Sequence, residues 1–369
     1  MTTATAAATV KVALPGTEYD VVIKPKSLET FNAHAGHVNT LEKAVVMADE
    51  NVAKHYGTIV MKSLRDAGCN AKLVAFKSGE AEKTIESVNA LYTEALEFGL
   101  ERSHPIIALG GGVTGDIVGF VAATYLRGVP FIQVPTTLLA MVDASVGGKT
   151  GYNHPLGKNL IGAFKQPELV LIDTEVLKTL PEREFRCGLA ECIKHGLLGN
   201  WDLFEWMEQN IGKIKALDSD ALTKLIEDNV KVKTRIVEQD EKESGVRVLL
   251  NFGHTFAHAI EVTCGYGLYL HGEAVALGSL AACRLAADLG KCDEEIYERS
   301  KALIDQAGLP VTADLASDQE VLAAMRRDKK VKGGTIRLIL PTGKGKAAIF
   351  DDVDDSDIIK AWAGIRADV

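Results

Sequence analysis

His254 and His258, in the stretch NFGHTFAHAIE, lie four residues apart. On a helix that spacing puts both imidazoles on one face, where they can approach a single cation. His271 opens a further helical pattern, HGEAVALG, and Glu191 lies in LAECIKHG with Lys194 one turn on along the same face. A zinc site that does chemistry keeps three protein ligands of the His and Glu kind and leaves one position open. Spacing alone selects His254 and His258 as the ligand pair. A lone histidine is usually structural, but three beside glycines and carboxylates favour a site.

A second group is rich in glycine. Gly110-Gly111-Gly112-Val113-Thr114-Gly115-Asp116 follows a strand-like run and opens a helical one. Glycine lets the backbone come close to a pyrophosphate, and a helix N-terminus offers free N–H groups and partial positive charge. The match to G-x-G-x-x-G departs from the dinucleotide rule in two ways. It follows a later strand of the alternating pattern than the first, and no acid lies about 20 residues further on. The acid that could hold a ribose is instead Asp49. Asp116 would repel a phosphate, so it should face a hydroxyl, a lysine or an amide. Gly148-Lys149-Thr150 resembles the end of a P-loop, but the first glycine of that motif would fall on Asp143, so that reading fails. Lys149, Lys158, Lys194, Lys233, Arg247, Lys329 and Lys330 sit in or beside these motifs. The stretch GGKTGYNHPLGKN lacks apolar periodicity and reads as a loop around a charged ligand. A phosphate together with a carboxylate would account for several converging cations.

The elements that must position these groups alternate in the first half. Residues 10–24 form a hairpin signal around Pro15-Gly16. Strand-like runs at 43–49, 72–78, 105–111, 130–136 and 169–175 are separated by amphipathic stretches such as 84–98 and 114–127. The pattern predicts a parallel sheet covered on both faces, with ligands at the carboxyl ends of its strands. From about residue 182 onward seven helical stretches follow, and strands return only at 335–341 and 346–350. The fold class is therefore α/β, with a dinucleotide-binding domain over 1–178 and a mainly helical metal and substrate domain over 179–369, and the cleft between them is the expected site.

Composition excludes several classes. An apolar content of 47% argues against wholesale disorder, and no apolar run reaches the roughly 18–20 residues that span a bilayer. The N-terminus does not read as a secretory signal. Six cysteines without a C-x-x-C pair suit reduced thiols and a cytoplasmic location. The net charge of −9 disfavours nucleic acid and anionic membranes as partners.

Together the motifs resemble the sugar phosphate cyclase superfamily, and within it the 3-dehydroquinate synthase family most. The carriers are SGEAEKT (78–84), GGGVTGDIVGFVAATYLRG (110–128), QVPTTLLAMVDASVGGKTGYN (133–153), GKNLIGAF (157–164), LKTLPERE (177–184), LAECIKHG (189–196), GVRVLLNFGHTFAHAIE (245–261) and HGEAVALG (271–278). The resemblance spans about residues 43 to 341. It implies Glu191, His254 and His271 as ligands of zinc or cobalt, which displaces His258 from the pair that spacing selects. It implies NAD contacts at Asp49, Ser78, Gly79, Glu80, Lys83, Gly111, Gly112, Val113, Thr114, Gly115, Asp116, Thr136, Thr137, Lys149, Lys158, Val176, Leu177, Lys178 and Thr179. Asp143, Lys149, Asn159, Lys194, Lys233, Arg247, Asn251 and His258 match the substrate pocket, and Lys329 or Lys330 closes over its phosphate. Arg127 matches an arginine that reaches the neighbouring subunit's substrate, which implies a homodimer. The implied reaction takes 3-deoxy-arabino-heptulosonate 7-phosphate to 3-dehydroquinate and phosphate, with NAD used catalytically. The rival readings are a cyclase for a sugar phosphate without a carboxylate, and a metal-dependent polyol dehydrogenase. Arg247, with Lys233 and Asn251, speaks against the first; the surplus of cations speaks against the second.

Overall fold

The computed structural model describes residues 7–35, 41–265, 267–327 and 336–367. Its contacts divide the chain into two units, Met1–Leu180 with Leu217–Lys242, and Pro181–Ala216 with Glu243–Val369.

The first unit opens with β1 (Ala8–Leu14) and β2 (Thr17–Ile23), an antiparallel pair whose turn uses Gly16 at φ 84°. Then come α1 (Phe31–Ala35), β3 (Lys43–Asp49), α2 (Glu50–Val52), α3 (Thr58–Asp66) and β4 (Asn70–Phe76). They are followed by α4 (Ile85–Glu97), β5 (Ile106–Gly110), α5 (Gly112–Thr124) and β6 (Phe131–Pro135). A hairpin of β7 (Lys149–His154) and β8 (Gly157–Phe164) precedes β9 (Leu169–Ile172). Seven strands form one sheet in the order β1-β2-β9-β6-β5-β3-β4, parallel from β2 to β4. All residues of β5, β6 and β9 are buried, as expected of strands covered on both faces. Val88, Leu91 and Ala95 of α4 and Ile117, Val118 and Val121 of α5 pack with Val45, Met47, Ile106 and Phe131 of the sheet. Asp49, Gly110 and Pro135 end their strands at the same edge, which is where the Gly-rich turn begins.

One local expectation is corrected. The stretch 147–159, read as a loop, lies largely in the β7–β8 hairpin, a separate two-stranded sheet. Its backbones touch closely: a Cβ on Gly151 would lie 2.3 Å from the Ile161 oxygen. Tyr152 meets Phe120 of α5 edge to face, with ring centroids 5.3 Å apart.

The chain enters the second unit with α6 (Glu182–Gly199) and α7 (Trp201–Lys215). It returns to the first for α8 (Ser219–Gln239), whose apolar face packs on β1, β2 and the turn at Ala140–Ala144. A single boundary between 178 and 179 gives no account of that return. The second unit then completes itself with α9 (His254–Thr263), α10 (His271–Asp288), α11 (Glu294–Gln306) and α12 (Asp318–Arg327). It ends with β10 (Leu338–Gly343), β11 (Lys346–Phe350) and α13 (Asp355–Ala363). The run Gly272–Cys283 of α10 is buried apart from Glu273, and this helix touches α6, α9, α11, α13 and β10. A helix apolar around most of its circumference belongs at the centre of its unit. Among the described residues no helix is long and apolar enough to cross a membrane.

Candidate functional site

In the first unit the carboxylate of Asp49 is a gathering point. Its Oδ1 accepts the N–H groups of Asn51 and Val52, both at 3.1 Å, and the Ser78 hydroxyl at 2.9 Å. The Thr114 hydroxyl donates to Oδ2 at 3.3 Å. Three expected nucleotide contacts, from the ends of β3 and β4 and from the first turn of α5, thus meet at one carboxylate. Gly79, at φ 110°, follows Ser78, and Glu80 accepts from Asn153 Nδ2 at 2.6 Å.

The Gly-rich turn is close-packed as well as open. Gly111 caps α5 without a side chain, and a Cβ on Gly115 would lie 2.9 Å from Gln133 Oε1. The N–H groups of Gly112, Val113 and Thr114 have no partner within the helix by its geometry, which leaves them to an anion. Asp116 faces a lysine: Lys83, only 3% exposed, donates to Asp116 Oδ2 and to Asn159 Oδ1, each at 2.5 Å. Burial holds the Asp116 carboxyl above its ordinary range against the pull of the Lys83 charge.

Thr136 is buried and its N–H bonds Gly110 O at 2.9 Å, while Thr137 Oγ1 accepts from the Ala140 N–H at 3.1 Å. Val176 and Leu177 are buried in the 3-10 turn Thr174–Thr179. Thr179 Oγ1 meets the Tyr56 hydroxyl at 2.6 Å, a contact that spacing gives no hint of. Lys178 pairs with Glu175 at 2.7 Å near the surface, and Lys149 and Lys158 are exposed on the hairpin. Asp143 takes Lys233 of α8 on its Oδ1 at 2.6 Å and also on its backbone oxygen. Arg127 lies past the end of α5, exposed, at φ 66° and next to Leu126 at φ 48°. Two consecutive side-chain residues in the left-handed region cost energy that packing must hold.

In the second unit, Glu191, His254 and His271 bring one ligand atom each to within 4.8 Å of one another, and among the described residues no other such group of three occurs. Three helices supply them: α6, α9 and α10. Glu191 is fully buried, and its Oε2 is ion-paired with Lys194, which is 1% exposed. Its Oε1 accepts no hydrogen bond among the described residues; instead it lies 3.9 Å from His254 Nε2 and 3.6 Å from His271 Nε2. Tetrahedral bonds of 2.0–2.2 Å to a metal would set ligand atoms about 3.3–3.6 Å apart, so the Glu191 oxygen already lies within roughly half an ångström of that spacing from each nitrogen. The other imidazole nitrogens point outward. His254 Nδ1 meets Phe252 O at 3.0 Å and His271 Nδ1 meets Glu261 Oε1 at 3.4 Å. Both Nε2 atoms face the Glu191 carboxylate, and the donor set fits zinc or cobalt.

His258, one turn beyond His254, stands outside the group, its ring centroid 5.8 Å from that of His254. The pair selected by spacing is therefore replaced by His254 with His271. Arg247 is buried in the turn Val246–Asn251 that leads toward α9, and Asn251 Nδ2 donates to Glu243 Oε1 at 2.8 Å. Lys329 and Lys330 lie outside the described residues.

A parallel sheet with a Gly-rich turn at its carboxyl edge, and a helical unit with an open Glu-His-His group, define a class of enzymes that use a dinucleotide and a divalent metal. Family models described as 3-dehydroquinate synthase N-terminal and C-terminal match residues 73–187 and 188–331. A 3-dehydroquinate synthase of Crocosphaera subtropica is 47% identical over 361 residues, 97% of this chain and 99% of that one. The chain belongs to the 3-dehydroquinate synthase family. Among solved structures, 2-epi-5-epi-valiolone synthase of Streptomyces hygroscopicus subsp. jinggangensis, with NAD+ and Zn2+ bound, matches at TM-score 0.87 and 30% identity, covering 96% of this chain and 98% of that one. A 2-deoxy-scyllo-inosose synthase, complexed with carbaglucose-6-phosphate, NAD+ and Co2+, matches at TM-score 0.87 and 24% identity, with 96% and 99% covered, and shares the fold.

Proposed function

We propose that this protein converts 3-deoxy-arabino-heptulosonate 7-phosphate to 3-dehydroquinate and phosphate, a step of aromatic amino acid biosynthesis, with NAD regenerated in each turnover and a divalent metal as a resident cofactor. The observation that carries the reading is Glu191 Oε1 facing two imidazole nitrogens at 3.6 and 3.9 Å, in a chain that matches the family over nearly its whole length. Glu191, His254 and His271 would hold the metal. Asp49, Ser78, Thr114 and the Gly111–Gly115 backbone would hold the dinucleotide. The metal supplies Lewis acidity toward a substrate hydroxyl, and NAD supplies reversible hydride transfer.

The chain's own residues orient and neutralise. Lys194 balances the buried Glu191 carboxylate. Lys233, held by Asp143, and Arg247 with Asn251 are the cations and donor suited to the substrate's carboxylate and hydroxyls. The substrate's phosphate is the base for its own departure, so the protein's contribution is mostly placement and charge stabilisation. His258 and one of Lys329 and Lys330 are assigned to that phosphate. Arg127 is assigned to the phosphate of a partner subunit, which makes the catalytic unit a homodimer. None of the six cysteines is in a disulfide among the described residues, which supports a cytoplasmic location.

The test is to supply the heptulosonate phosphate with substoichiometric NAD. Phosphate release beyond the amount of NAD, with no net NADH, is expected. Stoichiometric NADH accumulation would instead identify a polyol dehydrogenase.

A further inference from the structure

We infer that Glu261 is a positioning residue for the metal centre, holding the His271 imidazole with Nε2 turned toward Glu191. The inference rests on the metal reading given above and extends it to a residue outside the ligand set.

His254, His258 and Glu261 are spaced by four and three residues along α9, so all three project from one face of that helix. His271 comes from a different helix, at the first position of α10. Its backbone is well anchored. Glu273 accepts the Leu270 N–H at 2.8 Å and is clamped by Arg183 at 2.7 and 2.8 Å. Those bonds fix the helix end and leave the ring free to turn about its own χ angles. Glu261 supplies the missing restraint: its Oε1 lies 3.4 Å from His271 Nδ1, and its side chain is only 13% exposed. The distance is about 0.2 Å beyond the usual range for such a bond, and a small rotation closes it.

With Nδ1 donating its proton to Glu261, the lone pair of the neutral ring is confined to Nε2. That nitrogen faces Glu191 Oε1 at 3.6 Å. The two imidazoles are then unequal partners. His254 is oriented by a backbone carbonyl, a dipole, whereas His271 is oriented by a carboxylate, a full charge that strengthens Nε2 as a donor. Oriented ligands of this kind usually carry such a partner, and its loss weakens metal binding more than it disturbs the fold.

The experiment uses the full chain as wild type, Glu261→Gln and Glu261→Ala. Zinc affinity is measured by competition with a chromophoric chelator, the cobalt form is read by its visible absorption bands, and the melting of the metal-free protein is followed in parallel. Glu261→Ala is expected to weaken zinc about 10–100-fold and to shift the cobalt bands, with metal-free melting close to wild type. Glu261→Gln keeps an acceptor without the charge and should lose less. If Glu261→Ala does not fold, the glutamine variant decides: its affinity must still fall below wild type. Wild-type affinity and an unchanged cobalt spectrum in the variants would overturn the role of Glu261 alone. A wild-type protein that binds neither ion would overturn the metal reading itself and this inference with it.

Discussion

A carboxylate with no solvent exposure is costly to keep charged unless its charge is answered, and Glu191 is answered on two sides. Lys194 takes one oxygen, and the other is turned to His254 and His271, where a cation would complete the arrangement. Burial pulls the His271 imidazole down, but the Glu261 hydrogen bond and the charges of Glu191 and Glu261 outweigh it and hold the ring above its ordinary value. A protonated imidazole cannot bind metal, so protons and metal compete for it. Because the imidazole of the metal-free protein is held above the usual 6.5, competition should begin at a higher pH than for a free histidine. Zinc affinity measured between about pH 5 and 8 is expected to fall steadily toward the acid side. A flat profile through that range would contradict the assignment of His271 as a ligand. The sequence made His254 legible as a ligand but not its partner. A spacing of four says that two side chains share a helix face, and nothing about which side chains approach from another helix. His271 enters from α10, so geometry in three dimensions, or the resemblance to known motifs, was needed to replace His258.

At the scale of elements, the group is set by two contacts of α10 that only glycine allows. A Cβ on Gly272 would lie 2.3 Å from the Cys187 oxygen of α6, four residues before Glu191. A Cβ on Gly278 would lie 2.3 Å from the oxygen of Gly253, the residue before His254. The backbones of α6, α9 and α10 therefore touch beside the three ligands. Gly272→Ala or Gly278→Ala must push helices apart, at a cost on the order of 1–3 kcal/mol or more. The expected result is a lower melting temperature together with weaker zinc binding. Alanine variants at Gly212, where a Cβ meets nothing within 4 Å, serve as the control and should bind zinc normally. These close approaches explain why HGEAVALG reads as a motif at all. Strongly periodic helices and buried strands were legible from hydrophobic pattern. The β7–β8 hairpin was not, because much of β8 is exposed and its glycines and lysines carry no alternation. Nor was α13, where Asp354 precedes the helix and Asp355 and Asp357 lie in its first turn. Acidic side chains there oppose the positive end of the helix dipole, and Trp362 further on is fully buried against Phe256.

For the whole molecule, the chain passes from the first unit to the second, back to the first and on to the second again. α8 leaves the second unit's stretch of sequence to cover β1 and β2, and it carries Lys233 to Asp143. Hydrophobic patterning identified this helix but could not assign it to a unit, since an apolar face does not name the surface it will cover. A further level of organisation is expected from Arg127. Its backbone is held at φ 66° beyond the end of α5, followed by Gly128 at φ 114°, so the guanidinium is carried out on an irregular, exposed turn. On the proposed assignment this guanidinium contacts a substrate phosphate across a two-fold interface. An arginine–phosphate bond is charge-assisted and often bidentate, so its loss should cost about 2 kcal/mol or more in substrate or transition-state binding. The measurement mixes two variants of low activity, Arg127→Ala and His271→Ala, under conditions that exchange subunits. A mixed dimer holds one site with an intact metal group and an arginine from the other chain, so part of the activity should return. If exchange is demonstrated by mass and no activity reappears, Arg127 serves its own subunit or none.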